Sequence, residues 1–324
     1  MRTMALKDRS SLSRIALLIA CLISLVGCAS AQHMDHHSGV TNGTSTADPS
    51  EQEWAKARLA KSPRHQEWVN VKYGERTVSA FVVYPEVKTK ATAVVVIHEI
   101  FGMSDWVQSL TDQLSEAGYV AIAPDLLSGM GPKGGGTSEF GADREGVGKA
   151  IRALPPDQVT ADLNAVADYV AKLPASNGKL TVTGYCWGGS QSFRFATNRS
   201  DLKAAFVFYG SAPETKEDLA RIKAPVYGFY AGNDARINQT LPKTTELMKE
   251  LGKKFDPVTY EGAGHGFMRA GDAPEPPKAP QPTGDSAADT KAAEDYQKAL
   301  TAYKGNKKAR DEAWVRWKAL LAAI

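Results

Sequence analysis

Between residues 93 and 260 the chain alternates short apolar runs with amphipathic stretches, and this alternation constrains the fold more than any other feature. Ala93–Ile97, Tyr119–Ala123, Ala204–Tyr209 and Pro225–Tyr230 show little or no polar face, and Leu180–Thr183 reads as a further strand. A strand of that kind must be covered on both sides. The segments 105–117, 157–173 and 241–251 have helical spacing and stop at Gly118, before Pro174 and at Gly252. Phe255–Tyr260 reads as a last strand. Strands and helices in this order predict an α/β fold, a mostly parallel sheet with helices on both faces. Trp68–Tyr73 and Thr77–Tyr84 instead alternate polar with apolar around Gly74-Glu75-Arg76, which predicts an antiparallel hairpin at the N-terminal edge.

The first residues read as a targeting signal outside the fold. Arg2, Lys7, Arg9 and Arg14 precede the apolar run Ile15–Val26, too short for a comfortable membrane span. Leu25-Val26-Gly27-Cys28 resembles a bacterial lipobox, in which the peptide is cut before the cysteine and the thiol is lipidated. The expected organisation is a signal peptide over 1–27, lipidated Cys28 with a flexible tether over 28–66, and one domain over 67–324. His33, His36 and His37 fall in the polar tether and read as solvated residues rather than metal ligands. Residues 271–289, rich in Pro, Ala and Gly, read as a disordered excursion, and 290–303 and 306–323 as two further helices. Trp314, Trp317, Leu320 and Leu321 would dock the last of them on the body.

The net charge of +3 resides in the signal: residues 1–27 carry four of 39 basic and one of 36 acidic residues, so the rest is balanced. A neutral mature chain gives no electrostatic basis for binding nucleic acid. The expected location is the cell envelope, either anchored by lipid on the periplasmic side, with the outer membrane favoured because Ala29 follows Cys28, or secreted to the periplasm. The expected state is a monomer. With Cys21 removed and Cys28 lipidated, Cys186 stands without a disulfide partner or a resolving thiol, which argues against a redox role.

Cys186 lies in Gly184-Tyr-Cys-Trp-Gly-Gly189, between a strand-like and a helix-like run. A strand, a glycine-flanked nucleophile and a helix make a nucleophile elbow, which lifts the side chain over the sheet at a helix N-terminus. In such folds the order along the chain is nucleophile, acid, histidine. His265 is the single histidine after Cys186, and Asp234 lies between them just past a predicted strand. Asp256 and Glu261 are alternative acids closer to the histidine in sequence.

GYCWGG, His98-Glu-Ile-Phe-Gly102 and His265-Gly-Phe-Met-Arg269 together resemble the dienelactone hydrolase family of α/β-hydrolases, over about Val69 to Arg269. The resemblance implies that Cys186 is the nucleophile, His265 the base and Asp234 its orienting acid. It implies that Glu99 contacts the resting thiol and takes its proton once an anionic substrate engages an arginine. Arg269 and Arg144 match the family's substrate-binding arginines. Backbone N–H groups of Ile100 and Trp187 would form the oxyanion hole. The chain departs from the family at Gly148, where a substrate-binding tyrosine is expected, and at the bulky Trp187. The expected activity is hydrolysis of small esters or lactones, anionic ones included, without metal or organic cofactor. The alternative is a non-catalytic, ligand-binding envelope lipoprotein on the same fold.

Overall fold

The computed structural model describes residues 53–271 and 275–324. The expected signal peptide, Cys28 and most of the tether lie outside the described residues.

Eight strands form one sheet: β1 (Gln66–Tyr73), β2 (Arg76–Val83), β3 (Ala91–Ile97), β4 (Val120–Pro124), β5 (Ser176–Tyr185), β6 (Ala204–Phe208), β7 (Val226–Ala231) and β8 (Phe255–Tyr260). Their order is β1-β2-β4-β3-β5-β6-β7-β8. β1 pairs antiparallel with β2, and β2 with β4; the remaining neighbours are parallel. The hairpin closes at Tyr73 opposite Arg76, as its turn residues require. β3, β4, β6 and β7 are buried along their whole length, which is why they carry no polar face.

The main helices among the described residues are α1 (Glu53–Lys61), α2 (Asp105–Glu116), α3 (Arg144–Arg152), α4 (Pro156–Lys172), α5 (Trp187–Asn198), α6 (Lys216–Ala220), α7 (Ala235–Asn238), α8 (Leu241–Glu250) and α9 (Ser286–Ala322). Two apolar layers sandwich the sheet. One gathers Val159, Leu163 and Val166 of α4 with Phe193 of α5 and Met248 of α8. The other gathers Trp106 and Leu110 of α2 with Phe206, Phe208, Phe229 and, from α9, Trp317 and Leu321. The Trp317 ring meets Phe208 edge-on at 5.2 Å, so the last helix docks as its aromatic spacing predicts.

Three expectations need correction. The part of the tether beyond residue 52 is not wholly flexible: 53–61 is helical, because Trp54 and Leu59 pack on the second layer within an otherwise polar stretch. The two C-terminal helices are one, α9, running unbroken through Gly305. Gly305 is a point of close approach rather than a breaker: a Cβ there would lie 2.3 Å from the Gly262 carbonyl oxygen. The excursion is shorter than expected, since α9 starts at Ser286, with the Asp285 side chain accepting from the Ala287 and Ala288 N–H groups.

Because β3 and β5 to β8 are parallel, their C-terminal ends share one edge of the sheet. Glu99, Cys186, Asp234 and His265 all follow those ends.

Candidate active site

Cys186 sits between β5 and α5 with φ 55° and ψ −118°, a left-hand backbone that a side-chain-bearing residue adopts only at a cost. The turn is held tightly enough that its glycines cannot be replaced. A Cβ on Gly184 would lie 1.9 Å from the Gly188 carbonyl oxygen, and one on Gly188 would lie 2.3 Å from that of His98. The backbone N–H of Cys186 donates to Phe208 O at 3.1 Å, tying the elbow to β6.

Behind the elbow lies a scaffold that the sequence did not reveal. His98 is fully buried and stacks on Trp187, with ring centres 5.6 Å apart. The Leu126 N–H donates to its Nε2 at 3.3 Å, so Nε2 is the acceptor; Nδ1, 2.8 Å from Glu99 O, therefore carries the proton. Burial lowers the imidazole's affinity for a second proton, so His98 is a neutral strut. The glycine-rich loop after β4 returns to brace the same region. Thr137 donates through its N–H and hydroxyl to Asp125, both at 2.7 Å, and its Oγ1 accepts from the Met103 N–H at 3.2 Å. A Cβ on Gly136 would strike Asp125 Oδ2 at 2.2 Å, which explains the composition of the loop there.

On the other flank of Cys186, Asp234 caps α7, its Oδ1 accepting from the Ile237 N–H at 3.3 Å. Its Oδ2 lies 2.5 Å from His265 Nδ1. Of the three candidate acids it is Asp234 that bonds the imidazole; Asp256 pairs with Arg316 at 3.2 Å. His265 Nε2 is buried with no hydrogen-bond partner among the described residues. The loop carrying His265 is pinned from α9, where Asn306 Oδ1 accepts from the Gly264 N–H.

Glu99 and Arg269 meet each other. Arg269 Nη1 donates to Glu99 Oε2 at 2.8 Å, while Glu99 Oε1 is buried without a partner among the described residues. No hydrogen bond joins Glu99 to the Cys186 thiol, the contact that the resemblance implied. A buried carboxylate gains more from a guanidinium than from a neutral thiol. Arg269 is accordingly committed to Glu99, with about a fifth of its side chain, 21%, still exposed. Burial works against its charge, but the Glu99 carboxylate outweighs that and raises its pKa. The thiol is protonated in this setting: burial pushes Cys186 up to about 11, with Glu99 adding to the effect. The Trp187 N–H, Arg269 and Arg236 pull it back down in part.

Ile100 follows β3 and Trp187 opens α5, so two backbone N–H groups come from the two strand ends nearest the thiol. Arg144 is half-buried at the first turn of α3. That helix approaches the site through Gly148, where a Cβ would lie 3.6 Å from Ile100 Cγ1 and 3.2 Å from Arg152 Nη1. Where a tyrosine was expected, a neighbouring guanidinium occupies the space. Tyr209 is a further resident. It follows β6 directly with φ 40°, is fully buried, and sets its ring edge-on to His265 at 4.9 Å.

The profile of the Dienelactone hydrolase family matches residues 78–324. The chain belongs to the dienelactone hydrolase family. Dienelactone hydrolase relatives include a Salmonella typhi protein named "Putative carboxymethylenebutenolidase", 32% identical over 184 residues, or 54% of this chain and 67% of the relative. A carboxymethylenebutenolidase of Pseudomonas putida is 29% identical over 202 residues, covering 61% of this chain and 83% of that one. Among solved structures, a dienelactone hydrolase-like promiscuous phosphotriesterase from metagenomic libraries superposes with a TM-score of 0.55 at 20% identity. That match covers 73% of this chain and 99% of the other, and speaks for the fold alone. Membership of the dienelactone hydrolase family makes the chain a carboxylic ester or lactone hydrolase with the α/β-hydrolase fold.

Proposed function

We propose that this dienelactone hydrolase relative cleaves small esters or lactones through a thioester on Cys186, and favours substrates that carry a carboxylate. One observation carries the reading. At the edge of the sheet where the parallel strands end, a cysteine on a positive-φ elbow follows one strand, and two buried acceptors without a hydrogen-bond partner among the described residues, Glu99 Oε1 and His265 Nε2, follow two others. Buried polar atoms without partners are rare in folded proteins and mark places where a reactant completes the set.

The chemistry follows from the residues. An incoming carboxylate competes for Arg269 and loosens its bond to Glu99. The freed carboxylate takes the thiol proton, since at about 11 the thiol does not ionise unaided near neutral pH. The thiolate attacks the ester carbonyl carbon, and the Ile100 and Trp187 N–H groups receive the oxyanion. Collapse forms the thioester and expels an alkoxide, which recovers the proton from Glu99. His265 Nε2, aimed by Asp234, then takes a proton from water as its oxygen attacks the thioester. The imidazolium returns that proton to the departing thiolate. Arg144, at the head of α3, is a second cation for the substrate. The mature protein, in this proposal, works in the cell envelope, held by lipid on Cys28.

The test is a panel of esters and lactones, with and without a carboxylate, against the wild type and Cys186→Ala. The expected result is turnover and a mass-spectrometric acyl adduct on Cys186 in the wild type, and neither in the variant. Full turnover by Cys186→Ala would remove the thiol from the reaction. No turnover and no adduct with any member would instead favour a ligand-holding protein.

A further inference from the structure

Tyr209 carries three peculiarities at one position. Its φ of 40° lies in the left-handed region, where a bulky aromatic residue is an outlier. Its side chain is fully buried, yet its hydroxyl has no hydrogen-bond partner among the described residues. Its ring packs against His265 at 4.9 Å and Phe267 at 5.3 Å. Tyr230 and Tyr260 also carry unpaired hydroxyls. Of these three residues only Tyr209 combines one with a strained backbone and a ring against the histidine.

Packing alone does not account for a tyrosine here. The neighbouring strand positions and the loop beside it use Phe208, Phe229 and Phe267. A phenylalanine at 209 would fill the same space without burying an unpaired O–H, which is costly. The hydroxyl therefore points to a state of the site other than the resting one. The proposed reaction supplies such a state. When Arg269 turns to a substrate carboxylate, Glu99, only 2% exposed, is left as a buried carboxylate in need of a donor. The Tyr209 O–H is an unpaired donor, and Glu99 Oε1 an unpaired acceptor. The charge of Glu99 and that of Arg269 both act on the Tyr209 hydroxyl, whose ionisation burial above all pushes well above the ordinary range, so it stays a donor.

We infer that Tyr209 is a positioning residue of this site, whose hydroxyl donates to Glu99 when the carboxylate parts from Arg269. The inference rests on the reaction proposed above. It makes the strained tyrosine the alternative seat of Glu99, lowering the cost of opening the ion pair.

Tyr209→Phe separates this role from a structural one. With a carboxylated ester that the wild type hydrolyses, kcat/KM should fall about 10- to 100-fold, the share carried by a hydrogen bond to a charged group. The loss should fall mainly on KM, because the pair opens as the carboxylate binds, and should be smaller for neutral esters; the melting temperature should stay level or rise, since a buried unpaired hydroxyl has gone. Wild-type kcat/KM toward the carboxylated ester in Tyr209→Phe would overturn the inference, as would a lowered melting temperature accompanying the loss. Cys186→Ala run alongside tells the two failures apart. If that variant is dead while Tyr209→Phe is fully active, only the role of Tyr209 falls; if it is active, the thioester reading falls first.

Discussion

Asn306, near the middle of α9, accepts a hydrogen bond at 2.8 Å from the backbone N–H of Gly264, the residue before His265. The contact spans 42 residues of sequence and aims the imidazole from a helix that holds none of the triad. Asn306→Ala should cost about 1 kcal/mol of stability, as a typical hydrogen bond does. Misaiming the base should lower kcat roughly ten-fold or more, with KM little changed. Asn306→Asp keeps the acceptor and should recover most of the rate. Steady-state kinetics on the two variants decides it; a wild-type rate in Asn306→Ala would show that the loop holds itself.

The thiol of Cys186 should titrate near 11, above an ordinary cysteine, because burial and the Glu99 charge both oppose the thiolate. Alkylation by iodoacetamide, followed by mass spectrometry, should therefore be slow at pH 8 and climb with a midpoint near that value. Glu99→Gln removes a like charge, so the midpoint should move down and labelling at pH 8 should quicken. Turnover should fall in the same variant, because the proton acceptor is lost. A midpoint at the free-thiol value in the wild type would contradict the half-buried, protonated resting state.

Arg269→Ala should be costlier than its place beside a surface loop implies. It leaves Glu99 buried and unpaired, a loss of about 3–5 kcal/mol for a broken buried pair. Arg269→Ala/Glu99→Ala should be more stable than the two single losses added together predict. Denaturant midpoints of the four proteins measure this, and strict additivity would mean the pair is not coupled. In the single variant, turnover of carboxylated esters should drop more than that of neutral ones.

Gly188→Ala tests the elbow itself. Its Cβ would press on the carbonyl oxygens of His98 and Ile97 at 2.3 and 2.4 Å, and neither backbone atom can swing away. A loss of about 1–3 kcal/mol or more is expected, together with most of the activity. An active variant of wild-type denaturation midpoint would show that α5 can retreat from β3.

The sheet and the pairing of Asp234 with His265 were legible because their signals are local. Apolar runs such as Ala93–Ile97 announce burial on both faces, and the order Cys186, Asp234, His265 follows the order of strand ends. What escaped was set by contacts distant in sequence. Gly305 looks like a helix breaker until the carbonyl of Gly262 is seen against it. Glu99 and Arg269 each read as partners for something else, and only the folded sheet edge shows that they hold one another. Trp54 sits in a polar stretch whose composition outweighs one indole, although that indole covers Gly271. The backbone of Tyr209 leaves no trace in a residue type that avoids such angles.

The dependence of the histidine loop on α9 also orders events during synthesis. Cys186, Asp234 and His265 leave the ribosome well before Asn306 and Trp317 do. A nascent chain in that interval has every reactive group but lacks the strut that aims the imidazole. In the reaction proposed above, release of the thioester therefore waits on the last helix to settle late in translation.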